Sequence, residues 1–311
     1  MKIVFMGTPD FAVPCLRALA DNGHDVAAVF TQPDKPKGRG YKMIPTPVKA
    51  AAMEYNIPVY QPLSLRKGDD AESAMNTLRE INPELIVVVA YGQILPKEVL
   101  DLPKYHCVNI HASLLPAYRG AAPIQWCLLN GEKVSGVTSM LMAEGLDTGD
   151  MLIKAETEIG ENETASSLHD RLSVMGAEVL LETVKAIEEE TLTPKPQDDS
   201  LSTYASRITK EISALDFNKP ANELHNIIRG ITGFTALEGK RLKIYTSRVT
   251  DISYAEGTEN GTVTDTEKFI VKCGDGRGLM FCEIQPEGKK RMKTEDYLRG
   301  KKIEKGTVLG K

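Results

Sequence analysis

Val108-Asn109-Ile110-His111-Ala112-Ser113-Leu114-Leu115-Pro116 is an apolar run that turns polar and then breaks at a proline. If the run from Cys107 is a strand, Asn109 and His111, two residues apart, leave the same face of the sheet. A buried strand that ends abruptly in polar residues reads as the C-terminal edge of a parallel strand, where open α/β sheets keep their ligands. Glu144-Gly145-Leu146-Asp147-Thr148-Gly149 answers it, and Asp147, between two glycines, is the candidate to face the amide and the imidazole.

Outward from this stretch, Leu85-Ile86-Val87-Val88-Val89-Ala90 is the most apolar run of the chain, a strand buried on both faces. It ends in a second turn, Tyr91-Gly92-Gln93-Ile94-Leu95-Pro96. At the start of the chain, residues 2 to 6 form an apolar strand. Gly7-Thr8-Pro9-Asp10 then turns into a helix with Phe11, Val13, Leu16 and Leu19 at helical spacing, and Val26 to Phe30 is the next strand. This β-α-β opening carries a single glycine at its turn and no G-x-G-x-x-G, which disfavours a nicotinamide enzyme. Helices over 48–55, 71–81, 123–129 and 164–190 and strands at 59–60 and 134–142 complete the first domain, expected over residues 1–190. The expected fold class is α/β, a Rossmann-like, doubly wound, mostly parallel sheet.

The composition changes after it. Residues 191–205, with Pro194, Pro196 and Gln197-Asp198-Asp199-Ser200, read as a linker. From 206 to 311, two short helices (209–215 and 220–231) precede apolar runs at 242–249, 261–266, 269–273 and 279–284, a spacing that predicts a smaller C-terminal β-barrel, OB-like in type. Residues 1–205 hold 18 Lys+Arg against 28 Asp+Glu, and 206–311 hold 20 against 15. An acidic body with a basic appendage suggests a polyanionic partner, with a solvated Lys-rich surface as the plain alternative.

With 311 residues, 41% of them hydrophobic, the chain has ample core, and no apolar run approaches the roughly 18 residues of a membrane span. The N-terminus lacks the length and cleavage site of an export signal, so a cytoplasmic location is expected. Five cysteines without a C-x-x-C pair argue against a disulfide framework and a structural zinc site.

Asn109 and His111 offer two hydrogen-bond donors suited to a developing oxyanion, with Asp147 stabilising and orienting an imidazolium. No nucleophile elbow accompanies Ser113. The pattern therefore points to direct attack by one substrate on a carbonyl of another, the protein supplying electrostatics and proton transfer. A satisfied core histidine is the plain reading, weakened by the adjacent amide and the strand-end position. A metal at His111 and Asp147 is disfavoured because His106 faces the opposite way and no third ligand is spaced to join them; no metal is expected. Gln32 to Pro47 holds four prolines and the cations Lys35, Lys37, Arg39 and Lys42 against Asp34 alone. A stiffened basic loop of this length fits a finger that meets phosphates.

Asn109-x-His111, Ser113-Leu114-Leu115-Pro116, Tyr118-Arg119-Gly120-Ala121-Ala122-Pro123 and Asp147 within L-D-T-G-D resemble the N10-formyltetrahydrofolate-dependent formyltransferases, densely so within residues 84–150. The opening G-T-P-D-F-A, the K-P-x-G-R-G loop and the tail are similar to the branch of that family that formylates methionyl initiator tRNA, over essentially the whole length. The resemblance implies that Asn109, His111 and Asp147 are catalytic. It implies that Ser113, Leu114, Leu115 and Pro116 bind folate, and that Tyr91, Gly92, Ile94, Leu95 and Glu144 flank the pterin of 10-formyltetrahydrofolate, the formyl-donating cosubstrate. It also implies that Lys35, Lys37, Arg39 and Lys42 meet the acceptor arm of the tRNA and that the C-terminal barrel binds tRNA backbone. A monomer without a membrane partner is expected. Formylation of an amino sugar and hydrolysis of formyltetrahydrofolate stay open as alternatives within the family, as does a tRNA-binding protein without activity.

Overall fold

Burial on both faces decides which strands sit at the centre of the first sheet. In the computed structural model, residues 1–37, 42–254 and 257–310 are described. Ten strands appear up to residue 158: β1 (Lys2–Gly7), β2 (Asp25–Phe30), β3 (Lys35–Lys37), β4 (Lys42–Ile44), β5 (Val59–Tyr60), β6 (Leu85–Val89), β7 (Cys107–His111), β8 (Arg119–Gly120), β9 (Val134–Leu141) and β10 (Met151–Glu158). Seven of them form one sheet in the order β10-β9-β7-β6-β1-β2-β5. β1 runs parallel to β2 and β6, β2 to β5, and β6 to β7, while β9 is antiparallel to β7. The uninterrupted apolar sequences of β6 and β7 are buried along their whole length, as a strand covered on both faces requires.

The helices of this unit are α1 (Val13–Asp21), α2 (Pro47–Glu54), α3 (Asp69–Ile81), α4 (Lys97–Leu100) and most of α6 (Ala165–Glu188), with α5 (Pro123–Leu129) belonging to the second unit. Local chemistry sets their ends. Thr46 caps α2 by accepting from the Lys49 N–H at 3.2 Å, with Pro47 in the first turn. Asp69, Asp70 and Glu72 lie at the positive end of α3 and Arg79 at its negative end. Between α6 and the sheet, a Cβ on Gly176 would come within 3.1 Å of Ile110 Cγ2, so this glycine lets the helix approach β7.

The two units are Met1–Gly120, Ser135–Thr157 and His169–Tyr204 on one side, and Ala121–Val134, Glu158–Leu168 and Ala205–Lys311 on the other. The remaining strands are β11 (Tyr204–Ala205), β12 (Gly233–Leu237), β13 (Lys240–Ser253), β14 (Val263–Asp265), β15 (Ile270–Lys272), β16 (Arg277–Pro286) and β17 (Met292–Lys293), with helices α7 (Ala221–Ile231) and α8 (Thr294–Gly300). The second unit's sheet runs β12-β13-β16-β15-β14, antiparallel throughout, with β17 added to β16. Its two edges meet the same tail: Val263 N–H donates to Thr307 O at 2.8 Å, Leu309 N–H to Gly261 O at 2.9 Å, and Gly310 N–H to Ala236 O at 2.9 Å. The chain end thus ties β14 to β12 and closes the sheet. Its core includes Leu224, Ile228, Ile244, Phe269, Leu279 and Phe281, with the two phenylalanine rings 5.2 Å apart.

Several elements differ from the sequence reading. The helix expected over 209–215 is a single turn at Glu211–Ser213. β10 went unread because an edge strand alternates exposure, and Lys154, Glu156 and Glu158 make it look like a polar loop. β12 and α8 are too short and mixed in composition to carry a period.

His225 supplies a test of the second unit's stability. Its side chain is 6% exposed; Nδ1 meets Ser247 Oγ at 2.9 Å and Nε2 donates to the Glu161 carbonyl at 3.1 Å. Burial pushes its pKa below the ordinary 6.5, with Arg229 adding to the effect and Glu161 opposing it. The unfolded chain therefore binds the proton first as pH falls, and stability is lost from about pH 6.5 downward. Denaturant titrations at pH 7.5 and 5.5 are expected to show this loss, and a His225→Gln variant to show less of it.

Candidate active site

β7 ends at the sheet's carboxyl edge, where Asn109 pairs across with Met140 and His111 with Thr138 of β9. Both residues are nearly buried, at 9% and 6% exposure. The Asn109 amide makes no hydrogen bond with any described residue. The Asn109 residue is buried but its amide is not among the fully buried unpaired atoms, so the amide faces the open carboxyl edge, where a ligand can reach it. His111 is different: Nε2 lies 2.9 Å from the Tyr118 carbonyl, which only accepts, so Nε2 carries a proton. Nδ1 is then the ring atom free to exchange one, and it faces Asp147 Oδ2 at 3.7 Å.

The chain beyond His111 is braced by Thr138. Its Oγ1 donates to Ser113 O at 2.7 Å and accepts from the Leu115 N–H at 3.2 Å. Lys154 donates to Leu115 O, and the Leu115-Pro116 peptide is cis. The Ser113 hydroxyl is buried and donates to Ala117 O at 2.7 Å, an arrangement that holds the loop and does not present a nucleophile. Leu115 is fully buried, while Leu114 and Pro116 are half-buried. Burial pushes the thiols of Cys15, Cys107 and Cys273 up to about 12, which makes these three poor nucleophiles.

Asp147 sits at φ 52°, in the left-handed region. Its Oδ2 accepts the Gly120 N–H at 2.8 Å, and its carbonyl accepts from Gln197 Nε2 at 2.8 Å. Gly149 makes the turn possible, since a Cβ there would lie 1.8 Å from Leu141 O. Glu144 is exposed on the same loop. In the neighbouring turn, Tyr91 and Leu95 are buried in the core while Ile94 is 64% exposed. Gly92 takes φ 85°, and the buried Tyr91 hydroxyl has no partner among the described residues.

The basic loop begins and ends as a hairpin, β3 pairing antiparallel with β4 from Lys35↔Ile44 to Lys37↔Lys42. Lys35 is exposed. Arg39 lies outside the described residues, as do the side chains of Lys37 and Lys42. The hairpin's root is a closed polar triangle: Lys49 Nζ to Asp34 Oδ2 at 2.6 Å, Lys49 Nζ to Gln61 Oε1 at 2.7 Å, and Gln61 Nε2 to Asp34 Oδ1 at 2.7 Å. These bonds hold the Asp34 carboxyl below the usual carboxylate range.

Sequence reasoning missed Tyr118, Gly120, Thr138, Gln197 and Thr203. Thr203 accepts the Tyr118 N–H at its Oγ1 (2.8 Å) and the Arg119 N–H at its carbonyl (2.9 Å). All five act through backbone atoms or by holding backbone, which leaves no mark in residue type, and two of them, Gln197 and Thr203, lie in a stretch whose composition reads as linker. Among the described residues, no group of three His, Cys, Asp or Glu is placed to hold a metal ion, and no helix is long and apolar enough to cross a membrane.

The carboxyl edge of this mostly parallel sheet thus presents an amide, an imidazole and a carboxylate, with no nucleophile among them. Residues 1–184 match the formyl transferase family and residues 207–302 the formyl transferase C-terminal domain, and the chain belongs to this family. It is 51% identical over 315 residues to the methionyl-tRNA formyltransferase of Alkaliphilus oremlandii, with 100% of both chains covered, and 50% identical to that of Clostridium novyi, covering 99% of this chain and 100% of the relative. The fold is also that of an N-formyltransferase from Helicobacter canadensis solved in complex with folinic acid and dTDP-3-aminofucose (TM-score 0.68, 23% identity, 92% of this chain and 99% of the other).

Proposed function

We propose that this chain transfers the formyl group of 10-formyltetrahydrofolate to the α-amino group of methionyl initiator tRNA. The observation that carries the chemistry is the amide of the nearly buried Asn109, without a partner among the described residues, two residues from a histidine whose Nε2 is already committed. The amine nitrogen attacks the formyl carbon, and the new C–N bond forms as the carbonyl oxygen takes negative charge. Asn109 donates to that oxygen, and the protonated His111, through Nδ1, stabilises it from the same strand face. Asp147 balances the imidazolium. As the carbon–nitrogen bond to the folate breaks, His111 gives its Nδ1 proton to the leaving nitrogen, and the vacated Nδ1 then takes up the proton lost by the amine, restoring the imidazolium. Ser113 to Pro116, Tyr91, Gly92, Ile94, Leu95 and Glu144 are assigned to the folate.

Support for a tRNA acceptor comes from the full-length relatives, the family's C-terminal domain over residues 207–302 and the basic hairpin. Transfer requires that folate turnover depend on the acceptor. Incubation of the enzyme with 10-formyltetrahydrofolate, with and without methionyl initiator tRNA, is expected to consume folate only when tRNA is present. Formate release without tRNA would mark a hydrolase instead. If Lys35, Lys37, Arg39 and Lys42 neutralise phosphates, each removal lowers the slope of log affinity against log salt by roughly one unit. An Arg39→Ala, Lys42→Ala double variant is expected to bind tRNA more weakly with a flatter salt dependence, and an unchanged slope would remove the hairpin from the interface.

A further inference from the structure

Asp147 holds a backbone conformation that non-glycine residues seldom adopt, at φ 52°. Such a conformation persists only where the surroundings over-determine it. The restraint comes from Gln197, fifty residues later in a stretch whose composition reads as a passive linker. Gln197 Nε2 donates to the Asp147 carbonyl at 2.8 Å and to the Gly149 carbonyl at 2.7 Å, closing the loop from both sides of Thr148. Its Oε1 accepts from Arg119 Nε at 2.9 Å, and Arg119 Nη2 is in turn paired with Asp199 Oδ1 at 2.7 Å. The amide has one allowed orientation, since a flip would set its oxygen against two carbonyl oxygens and its NH₂ against a guanidinium.

The same segment holds the opposite wall. Thr203 fixes Tyr118 and Arg119 through their N–H groups, the Tyr118 carbonyl sets the proton on His111 Nε2, and Gly120 N–H fixes Asp147 Oδ2. Arg119 is the joint of both paths, its main chain on Thr203 and its guanidinium on Gln197.

We propose that Gln197, oriented by Arg119, is a positioning residue of the active site, holding the Asp147 carboxylate against His111 Nδ1 so that residues 197–203 belong to the catalytic apparatus. This rests on the catalytic assignment of Asp147 made above. A role limited to packing or to the Arg119 contact makes a different prediction for one substitution. Gln197→Glu keeps the shape and strengthens the pairing with Arg119, but turns a carboxylate oxygen onto two carbonyls and removes both donated bonds.

The test is steady-state formyl transfer to methionyl initiator tRNA by folded Gln197→Glu and Gln197→Ala variants, in the wild-type and Asp147→Asn backgrounds. Both variants are expected to lose about 10- to 30-fold in kcat, with KM for 10-formyltetrahydrofolate within about twofold of wild type. That loss corresponds to about 1.4 to 2 kcal/mol of transition-state stabilisation. In the Asp147→Asn background the same changes are expected to cost less than about threefold, because residues acting through one another are not additive. A Gln197→Glu kcat within twofold of wild type, or an equal loss in both backgrounds, overturns the positioning role. A wild-type enzyme that forms no formylated tRNA overturns the functional reading itself, so the two failures are distinguishable.

Discussion

Asn109→Ala is expected to slow single-turnover formyl transfer by about 10² to 10³, or about 2.7 to 4 kcal/mol of transition-state stabilisation. Most buried polar side chains are poor probes of catalysis, because removing them also orphans an internal partner and destabilises the fold. Asn109 is free of that complication. Its amide bonds to no described residue, and the residue as a whole is only 9% exposed. Its neighbours across β7 are Val88 and Met140, which lose only packing. The unfolding free energy is therefore expected to change by about 1 kcal/mol or less, and denaturation of the same preparation separates the two effects. A variant with a near-normal rate would remove Asn109 from the oxyanion contact.

Gly149→Ala is expected to damage both stability and rate. A Cβ at this position would lie 1.8 Å from Leu141 O, 2.8 Å from Leu141 C and 3.4 Å from Ala143 N. All three atoms are backbone, so no side chain can swing away, and the chain between β9 and β10 must move. Leu141 N–H is bonded to Asp150 O at 2.9 Å, and Gly149 O receives one of the Gln197 bonds. Displacing this turn thus opens the end of the β9–β10 pair and carries Asp147 away from His111. The expected destabilisation is about 2 to 4 kcal/mol, read as a lower denaturation midpoint, with kcat reduced at least as far as in Gln197→Ala. A folded variant with wild-type kcat would show that the loop's geometry does not matter to the reaction.

The mostly parallel sheet was legible because its central strands are mainly apolar runs buried on both faces, as Leu85–Val89 and Cys107–His111 are. The Asn109/His111 pair was legible for the same reason, since polar residues stand out at the end of such a strand. What was hidden acts through backbone. The Tyr118 carbonyl and the Gly120 N–H fix His111 and Asp147 without any contribution from residue type. Gln197 sits among prolines and acids that look like linker, and its role appears only once the chain returns to the Asp147 loop. β10 hid behind its alternating Lys154, Glu156 and Glu158. The tail from Thr307 to Gly310, which ties two edge strands together, carries no periodic signal at all in so short a stretch.

The central claim is that the residues at the end of β7 and Asp147 carry a formyl group directly from folate to an amine borne on tRNA. Its most direct measurement is a single-turnover reaction of the enzyme with 10-formyltetrahydrofolate labelled in the formyl carbon and methionyl initiator tRNA, followed by analysis of the aminoacyl group. The label is expected in N-formylmethionine recovered from the tRNA, with no label reaching tRNA in the His111→Ala variant over the same interval. Label recovered only as formate, or transfer that proceeds equally in His111→Ala, would contradict it.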